Sequence, residues 1–400
     1  MPAAAGRGPL TTVVWVAEIH ADRRSRARQA LTETGADAAL ITSPANVRYL
    51  SGLVSSNAAV LLPVSGPAVL ATDSRYAEAA ERDCPDIELH TERQVDIALA
   101  GLAARRGAGV LAFEAQDLTV ERYTALTAAE VYGGQPPQFV PLGHIIESLR
   151  MIKDEPEIEL LARACAITSA AFENLVAAIR PGQTERDFAV RLERAMVDLG
   201  AEGLAFDTIV ASGPNGAIPH HAPAGRAFER GDLITVDCGA RYQGYHADMT
   251  RTVALGEPAA WQREIYELVA AAQLAGVMAA TPGADIGDVD AAARDMIEAA
   301  GYGAQFQHGL GHGVGLQVHE APIMGYGRTG RLMDRVPVTV EPGVYLPGKG
   351  GVRIEDTLVV RAGTAQAGIG QTGTVQAGTV QAGAGPAQLL TTTTRDLLVL

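Results

Sequence analysis

Asp237 and Asp248 stand eleven residues apart in V-D-C-G-A-R-Y-Q-G-Y-H-A-D-M-T-R-T, residues 236–252. Apolar and β-branched residues lead in at 233–236, and Thr250, Thr252 and Val253 lead out. The Gly/Tyr/Gln-rich middle predicts a hairpin between two strands. A turn centred on Tyr242 and Gln243 would set Asp237 across from Asp248 as cross-strand neighbours. Two carboxylates that close do not both ionise cheaply, so the pair either shares a proton or holds a cation.

A second pair repeats the arrangement. Residues 338–344 and 351–360 read as strands bearing Glu341 and Glu355, and the loop L-P-G-K-G centres on Gly348, midway between the glutamates. Upstream, Pro-Gly, Asp and Gly recur at one offset of 101 residues (181 to 282, 187 to 288, 200 to 301). Each copy predicts a helix that stops at its last glycine, and Thr184 with Asp187 resembles a capping box. Each half thus supplies one helical layer and one carboxylate hairpin. A single strand carboxylate is ordinarily solvated or salt-bridged. Asp237 and Glu341, however, end apolar runs (L-I-T-V-D, V-T-V-E) that should be buried, where an unpaired carboxylate is costly. Matched pairs in matched hairpins favour metal ligation.

Six of the nine histidines fall between 220 and 319. His312, in G-L-G-H-G-V-G, is flanked by glycines that permit close backbone approach. Two Asp, two Glu and one His make an oxygen-rich donor set, suited to Mn²⁺, Co²⁺ or Fe²⁺ ahead of a thiolate-type zinc site. Five such donors exceed the needs of one small cation and fit two cations about 3.5–4 Å apart. His246 and His308 read as histidines behind the ligands or at the surface, and His221 is ambiguous beside His220. Three lookalikes fail. Residues 343–350 lack the Ser or Thr of a P-loop. Residues 325–330 have the dinucleotide glycines without the strand and helix around them. Pro322 breaks the helix that a His319-Glu320 zinc motif would need.

Around this centre, 400 residues suggest two domains. Apolar content of 47% with 20% charged residues marks an ordinary globular chain. A net charge of −14 argues against nucleic acid and anionic membrane as partners. Cys84, Cys165 and Cys238 are odd in number and in no metal spacing, which points to reduced thiols of a cytosolic protein. No apolar run approaches the ~20 residues of a membrane span, and residues 10–17 behind Arg7 are too short and interrupted for an export signal. We read 1–16 as a disordered extension and 17–148 as an α/β accessory domain. Residues 149–400 form the catalytic domain, opened by a linker at 149–155. Residues 362–386, mostly Ala, Gly, Thr and Gln, read as a flexible inserted loop. After it, 389–400 should pair back with the strand at 352–360.

At these residues the chain resembles the pita-bread metallopeptidases: Xaa-Pro dipeptidase (prolidase), aminopeptidase P and methionine aminopeptidase. The resemblance spans about 150–361 strongly and the final strand. It implies an α+β chain, with a C-terminal pita-bread fold of duplicated helix and antiparallel-hairpin halves behind an N-terminal α/β creatinase/prolidase-like domain. The family's five-ligand motif maps onto Asp237, Asp248, His312, Glu341 and Glu355. The N-terminal domain disfavours the methionine aminopeptidases, and the intact ligands disfavour creatinase, which lacks them. The resemblance implies a metal-dependent exopeptidase that hydrolyses Xaa-Pro bonds through a hydroxide activated by two divalent metal ions. Mn²⁺ comes first, with Co, Fe or Zn as alternatives. Glu341 would shuttle the proton, His220 and His319 would bind substrate and steady the tetrahedral intermediate, and Arg353 could clamp a dipeptide's carboxylate. A small peptide substrate, a homodimer and a cytoplasmic location follow by family analogy. The alternatives are aminopeptidase P action on longer peptides and an inactive pita-bread binding protein.

Overall fold

The computed structural model describes residues 9–128, 131–132, 135–362 and 387–400. It divides into two compact units, Met1–Arg150 and Met151–Leu400.

The first unit runs α1 (Pro9–Thr32), β1 (Ala38–Ile41), α2 (Pro44–Ser51), β2 (Ala58–Pro63), β3 (Val69–Thr72), α3 (Ala77–Asp83) and β4 (Glu88–Thr91). It continues with α4 (Val95–Arg105), β5 (Val110–Phe113), α5 (Val120–Leu126), β6 (Gln138–Pro141) and α6 (Ile145–Met151). Its six strands lie in the order β4-β3-β2-β1-β5-β6. β1 pairs antiparallel with β2 and parallel with β5. Short apolar strands such as V-L-A-T and V-L-A-F bury Val69, Leu111 and their neighbours against Leu99 of α4. Two expected boundaries shift. Helix α1 already begins at Pro9, inside the segment expected to be disordered, and α6 runs through the residues expected to begin a linker.

The second unit is built twice. Its first half holds α7 (Glu155–Val176), α8 (Glu185–Asp198), β7 (Gly203–Leu204), β8 (Ile209–Ser212), β9 (Leu233–Cys238), β10 (Ala240–Tyr242), β11 (Tyr245–His246) and β12 (Met249–Ala254). The second half holds α9 (Ala260–Ala279), α10 (Ile286–Ala299), β13 (Gly311–Gly313), β14 (Glu320–Met324), β15 (Pro337–Val340), β16 (Gly343–Leu346), β17 (Gly350–Arg353), β18 (Asp356–Val360) and β19 (Ala387–Leu389). α8 and α10 start 101 residues apart, at 185 and 286, the offset of the sequence repeat. α7 begins with Asp154 and Glu157 in a reciprocal capping box. Each half has its own core, around Phe172, Phe188 and Val236 in one and Val269, Val289 and Leu358 in the other.

The chain's end departs from the expected strand. The ladder with β18 stops at Leu389 of β19, and the later residues cross to the first half, where Ala254 N donates to Leu398 O at 2.9 Å. Buried Arg251 draws them there, donating to the carbonyls of Thr393 (2.7 Å) and Thr394 (2.9 Å) and to Asp356 (2.7 Å). The expected flexible loop lies, beyond Ala362, outside the described residues.

Part of the charged face of α1 is buried: His20, Arg23 and Arg24 point inward. The last carbonyls of α2 lack partners within their own helix. His20 Nδ1 donates to Tyr49 O at 2.9 Å, and Arg24 Nη1 donates to Leu50 O at 2.7 Å. Burial, and then the charge of Arg23, pushes His20 down to about 4. A folded-state value below the unfolded 6.5 means that the unfolded chain takes the proton first. The His20 contribution is therefore intact above pH 6.5 and lost as pH falls from 6.5 towards 4, by about 3 kcal/mol. Thermal melts at pH 7 and pH 4.5 should show this unit losing stability on acidification. His20→Asn, which keeps a donor but cannot be charged, should lose less.

Candidate metal centre

The Asp hairpin turns one residue later than expected. Gln243 and Gly244 form its tip with positive φ (46° and 79°), as a tight two-residue turn requires. Tyr242 pairs with Tyr245, Cys238 with Met249, and Asp237 with Thr250 rather than Asp248. Asp248 precedes Met249 opposite Gly239, where a Cβ would stand 1.9 Å from Ala247 O. The two aspartates are thus diagonal neighbours on one face of the ladder, not directly opposed. In the other hairpin Val340 pairs with Asp356 and Gly343 with Arg353. The same register sets Glu341 opposite Glu355. His312 comes from β13, held by its backbone N–H to Thr339 Oγ1 at 3.1 Å.

These side chains meet at one end of a cavity of about 580 Å³ lined by residues of both halves, with His220, His221, His308 and His319 on its walls. His312 Nε2 lies 3.3 Å from Glu341 Oε1 and 3.6 Å from Asp248 Oδ2. Ligand atoms of Asp248, His312 and Glu355 all lie within 4.8 Å of one another. Thr250 Oγ1 donates to Glu355 at 2.7 Å and Thr339 Oγ1 to Glu341 at 3.2 Å. His312 Nδ1–H donates to Gly313 O at 3.0 Å, which leaves Nε2 as a lone pair facing the carboxylates.

The electrostatics are those of a site built for cations. Burial, then the charges of Glu355, Asp237 and Glu341, drives Asp248 well above the usual carboxylate range. Glu355 rises for the same reasons, burial first and Glu341 next. Glu341 is pushed up to about 8 by burial and then Asp237, although Arg353 opposes the rise. Burial brings His312 down to about 4, so its imidazole is neutral. Asp237 Oδ1 is buried with no hydrogen-bond partner among the described residues, although the same carboxylate holds Arg353 through Oδ2. An orphaned buried oxygen, a neutral imidazole and three carboxylates in mutual repulsion fit divalent metal.

Arg353 requires a correction. Its guanidinium is buried and already engaged: Nη2 donates to Asp237 Oδ2 at 2.7 Å, Nη1 to Tyr345 Oη at 2.9 Å, and Nε to Thr250 Oγ1 at 3.1 Å. It stands as counter-charge to the cluster, where a substrate clamp was expected. His308 lines the cavity too, with Nε2 accepting from Tyr345 at 2.8 Å. His319 packs edge-on to His312, ring centroids 4.4 Å apart. Behind it, Glu320 forms a buried ion pair of 2.8 Å with Lys153. Lys153, in the stretch read as a linker, is thus part of the site's support. Tyr345, Thr250 and Lys153 were not singled out from the sequence. Tyr345 lies four residues after Glu341 in the carboxylate hairpin, which was the available signal.

Such a donor set over a cavity is that of a metal-dependent hydrolase. Residues 159–362 match the family model of metallopeptidase family M24, and residues 23–152 match that of the creatinase/prolidase N-terminal domain. The chain is 36% identical over 333 residues to a Xaa-Pro dipeptidase of Pyrococcus furiosus, covering 82% of this chain and 92% of that one. The structure of a Xaa-Pro dipeptidase from Bacillus anthracis superposes with a TM-score of 0.85 at 35% identity, covering 95% of this chain and all (100%) of that one. That of an X-Pro aminopeptidase from Thermotoga maritima gives 0.79 at 34% identity, covering 93% and 100%. The chain belongs to metallopeptidase family M24, with the pita-bread fold behind a creatinase-like N-terminal domain.

Two outcomes test this centre. Titrating Mn²⁺ into metal-stripped protein at pH 7 should release protons from the raised carboxylates, read as a heat that changes with the buffer. Heat that is the same in every buffer would mean ionised carboxylates in the free site. Lys153→Met should destabilise the protein by about 3–5 kcal/mol, because buried Glu320 loses the cation that offsets its charge. Pairing it with Glu320→Leu should recover much of that loss in chemical denaturation.

Proposed function

We propose that the protein is a Xaa-Pro dipeptidase. The observation that carries the reading is the convergence of Asp237, Asp248, His312, Glu341 and Glu355 beside a cavity walled by His220 and His319, in a chain whose dipeptidase relatives align over most of its length. The five donors would hold two divalent cations, Mn²⁺ in preference to Co, Fe or Zn, which when bound would supply Lewis-acid polarisation of the scissile carbonyl and an acidified water.

The protein's own groups do the rest. Glu341 would take a proton from water and return it to the leaving proline nitrogen. His220 and His319 face the carbonyl oxygen as charge develops on it. Arg353 holds Asp237 in place through its 2.7 Å contact. A bond to proline is a tertiary amide without an N–H, so recognition rests on shape, the free amine and the carbonyl. Phe206, Val318 and Ile323 give the cavity apolar walls. A homodimer and a cytoplasmic location complete the proposal by family analogy. No helix among the described residues is long and apolar enough to cross a membrane.

The similarity to an X-Pro aminopeptidase keeps cleavage of longer peptides as the second reading. Rates on Xaa-Pro against Xaa-Pro-Yaa, with and without Mn²⁺, separate the two. The dipeptide should be the better substrate, and preference for the tripeptide would reverse the assignment. Absence of turnover on both, with metal bound, would leave an inactive pita-bread protein. Glu341→Ala should lose at least about 1,000-fold in kcat, as removal of a proton-transfer group can. Its circular dichroism should match that of the parent protein.

A further inference from the structure

Among the described residues, none hydrogen-bonds the imidazole of His220, which is exposed to the cavity. Its place is therefore set by its backbone, and that backbone is pinned on both sides. On one side Pro219 O accepts from Arg353 Nη1 at 3.3 Å. On the other, His221 Nε2 lies 2.8 Å from Glu185 Oε2. An ionised carboxylate only accepts, so His221 donates from Nε2.

Glu185 holds more than this one ring. It sits in the first turn of α8 and is fully buried (0% exposed). Its Oε1 accepts from Ser212 N (2.8 Å), Ser212 Oγ (2.7 Å) and Asn215 Nδ2 (3.0 Å), and its Oε2 from Ala224 N (3.1 Å) as well as His221. These donors come from the start, middle and end of the segment 212–224. That segment leaves β8, makes a 3₁₀ turn at Gly213–Ala217 and carries His220 into the cavity. Burial alone would raise the carboxyl, but the bonds from Ser212, Asn215 and His221 hold it below its ordinary value. A helix N-terminus also favours the negative charge. The segment is thus folded around one anionic side chain.

We infer that Glu185 is a positioning residue: through His221 it fixes where the His220 imidazole stands in the substrate cavity. The inference rests on the proposed reading that His220 faces substrate. Glu185 itself is neither one of the five candidate metal ligands nor a lining residue of the cavity, which it reaches through His221.

Glu185→Gln is the direct test. It can keep an acceptor for Ser212 and Asn215 while turning a donor towards His221 and Ala224. Activity towards a Xaa-Pro dipeptide should fall by roughly 100-fold, the scale of a misplacement of about 1 Å, with the metal content unchanged. A generally disruptive change would produce such a loss whatever stood at 220, so the deciding readout is a cycle with His220→Ala. If Glu185 acts through His220, adding Glu185→Gln to His220→Ala should cost no more than about twofold. Multiplying losses would overturn the inference. If Glu185→Gln does not fold, His221→Ala carries the same cycle and leaves Glu185 its other donors. The histidine ring signals of the zinc-loaded protein decide the matter without turnover. Those of His220, assigned by their loss in His220→Ala, should move in Glu185→Gln, and an unmoved signal would overturn the inference. A parent protein that cleaves no Xaa-Pro substrate would refute the proposed function, and the ring signals would still judge the role of Glu185.

Discussion

Asp237, Asp248, Glu341 and Glu355 are gathered in one buried volume where, among the described residues, Arg353 is the only guanidinium or ammonium bonded to any of them. Four carboxylates cannot be ionised together there against a single positive charge. Protons or metal ions must supply the remainder, and the surroundings are arranged to make metal the better solution. His312 is kept neutral with Nε2 forward, and threonine hydroxyls orient Glu341 and Glu355. Behind the strands, Arg251 and Asp356 tie the chain's end across both halves.

Two kinds of support follow from this. The four carboxylates stand on or beside paired strands, where register fixes their spacing. His220 and His319 stand on irregular segments and need other means. Beside each of these two in sequence is a residue tied to a buried charge: His221 to Glu185 in the first half, Glu320 to Lys153 in the second. The signs of the two anchors are opposite, so the duplication preserved a mechanical solution rather than a residue pattern.

What could be read from the sequence followed from locality. The two hairpins, the repeat at 101 residues and the Glu341–Glu355 pairing are carried by short-range patterns, and they lie where those patterns put them. The Asp-hairpin turn is equally local: a two-residue tip needs positive φ, which Gly244 adopts freely and a tyrosine at 242 would not. The close approach at Gly239, where a Cβ would stand 1.9 Å from a carbonyl on the facing strand, fits the same register. Buried charges were illegible for a different reason. Lys153 reads as a linker residue because Glu320 is 167 positions away, and Arg24 reads as surface because the carbonyl that it caps belongs to α2. Arg353 invited a substrate-binding role because it lies beside the ligands. Its partner Tyr345 stands on the same hairpin, but its partner Asp237 becomes visible only when the two hairpins are packed together.

That packing explains why neither half could hold the metals alone. Thr250 of the first half orients Glu355 of the second at 2.7 Å, and Thr357 of the second donates to the Asp248 carbonyl of the first at 2.8 Å. Arg353 of the second half holds Asp237 of the first. Glu355 N also reaches Thr250 O at 3.1 Å, which joins the strands of the two halves beside the ligands. Each half therefore orients the other's carboxylates. The ligand geometry exists only once the halves have docked, and docking brings together the like charges that a cation must offset. Folding and metal binding in this unit are then linked reactions: the metal lowers the free energy of an arrangement that the apolar cores favour and the carboxylates oppose.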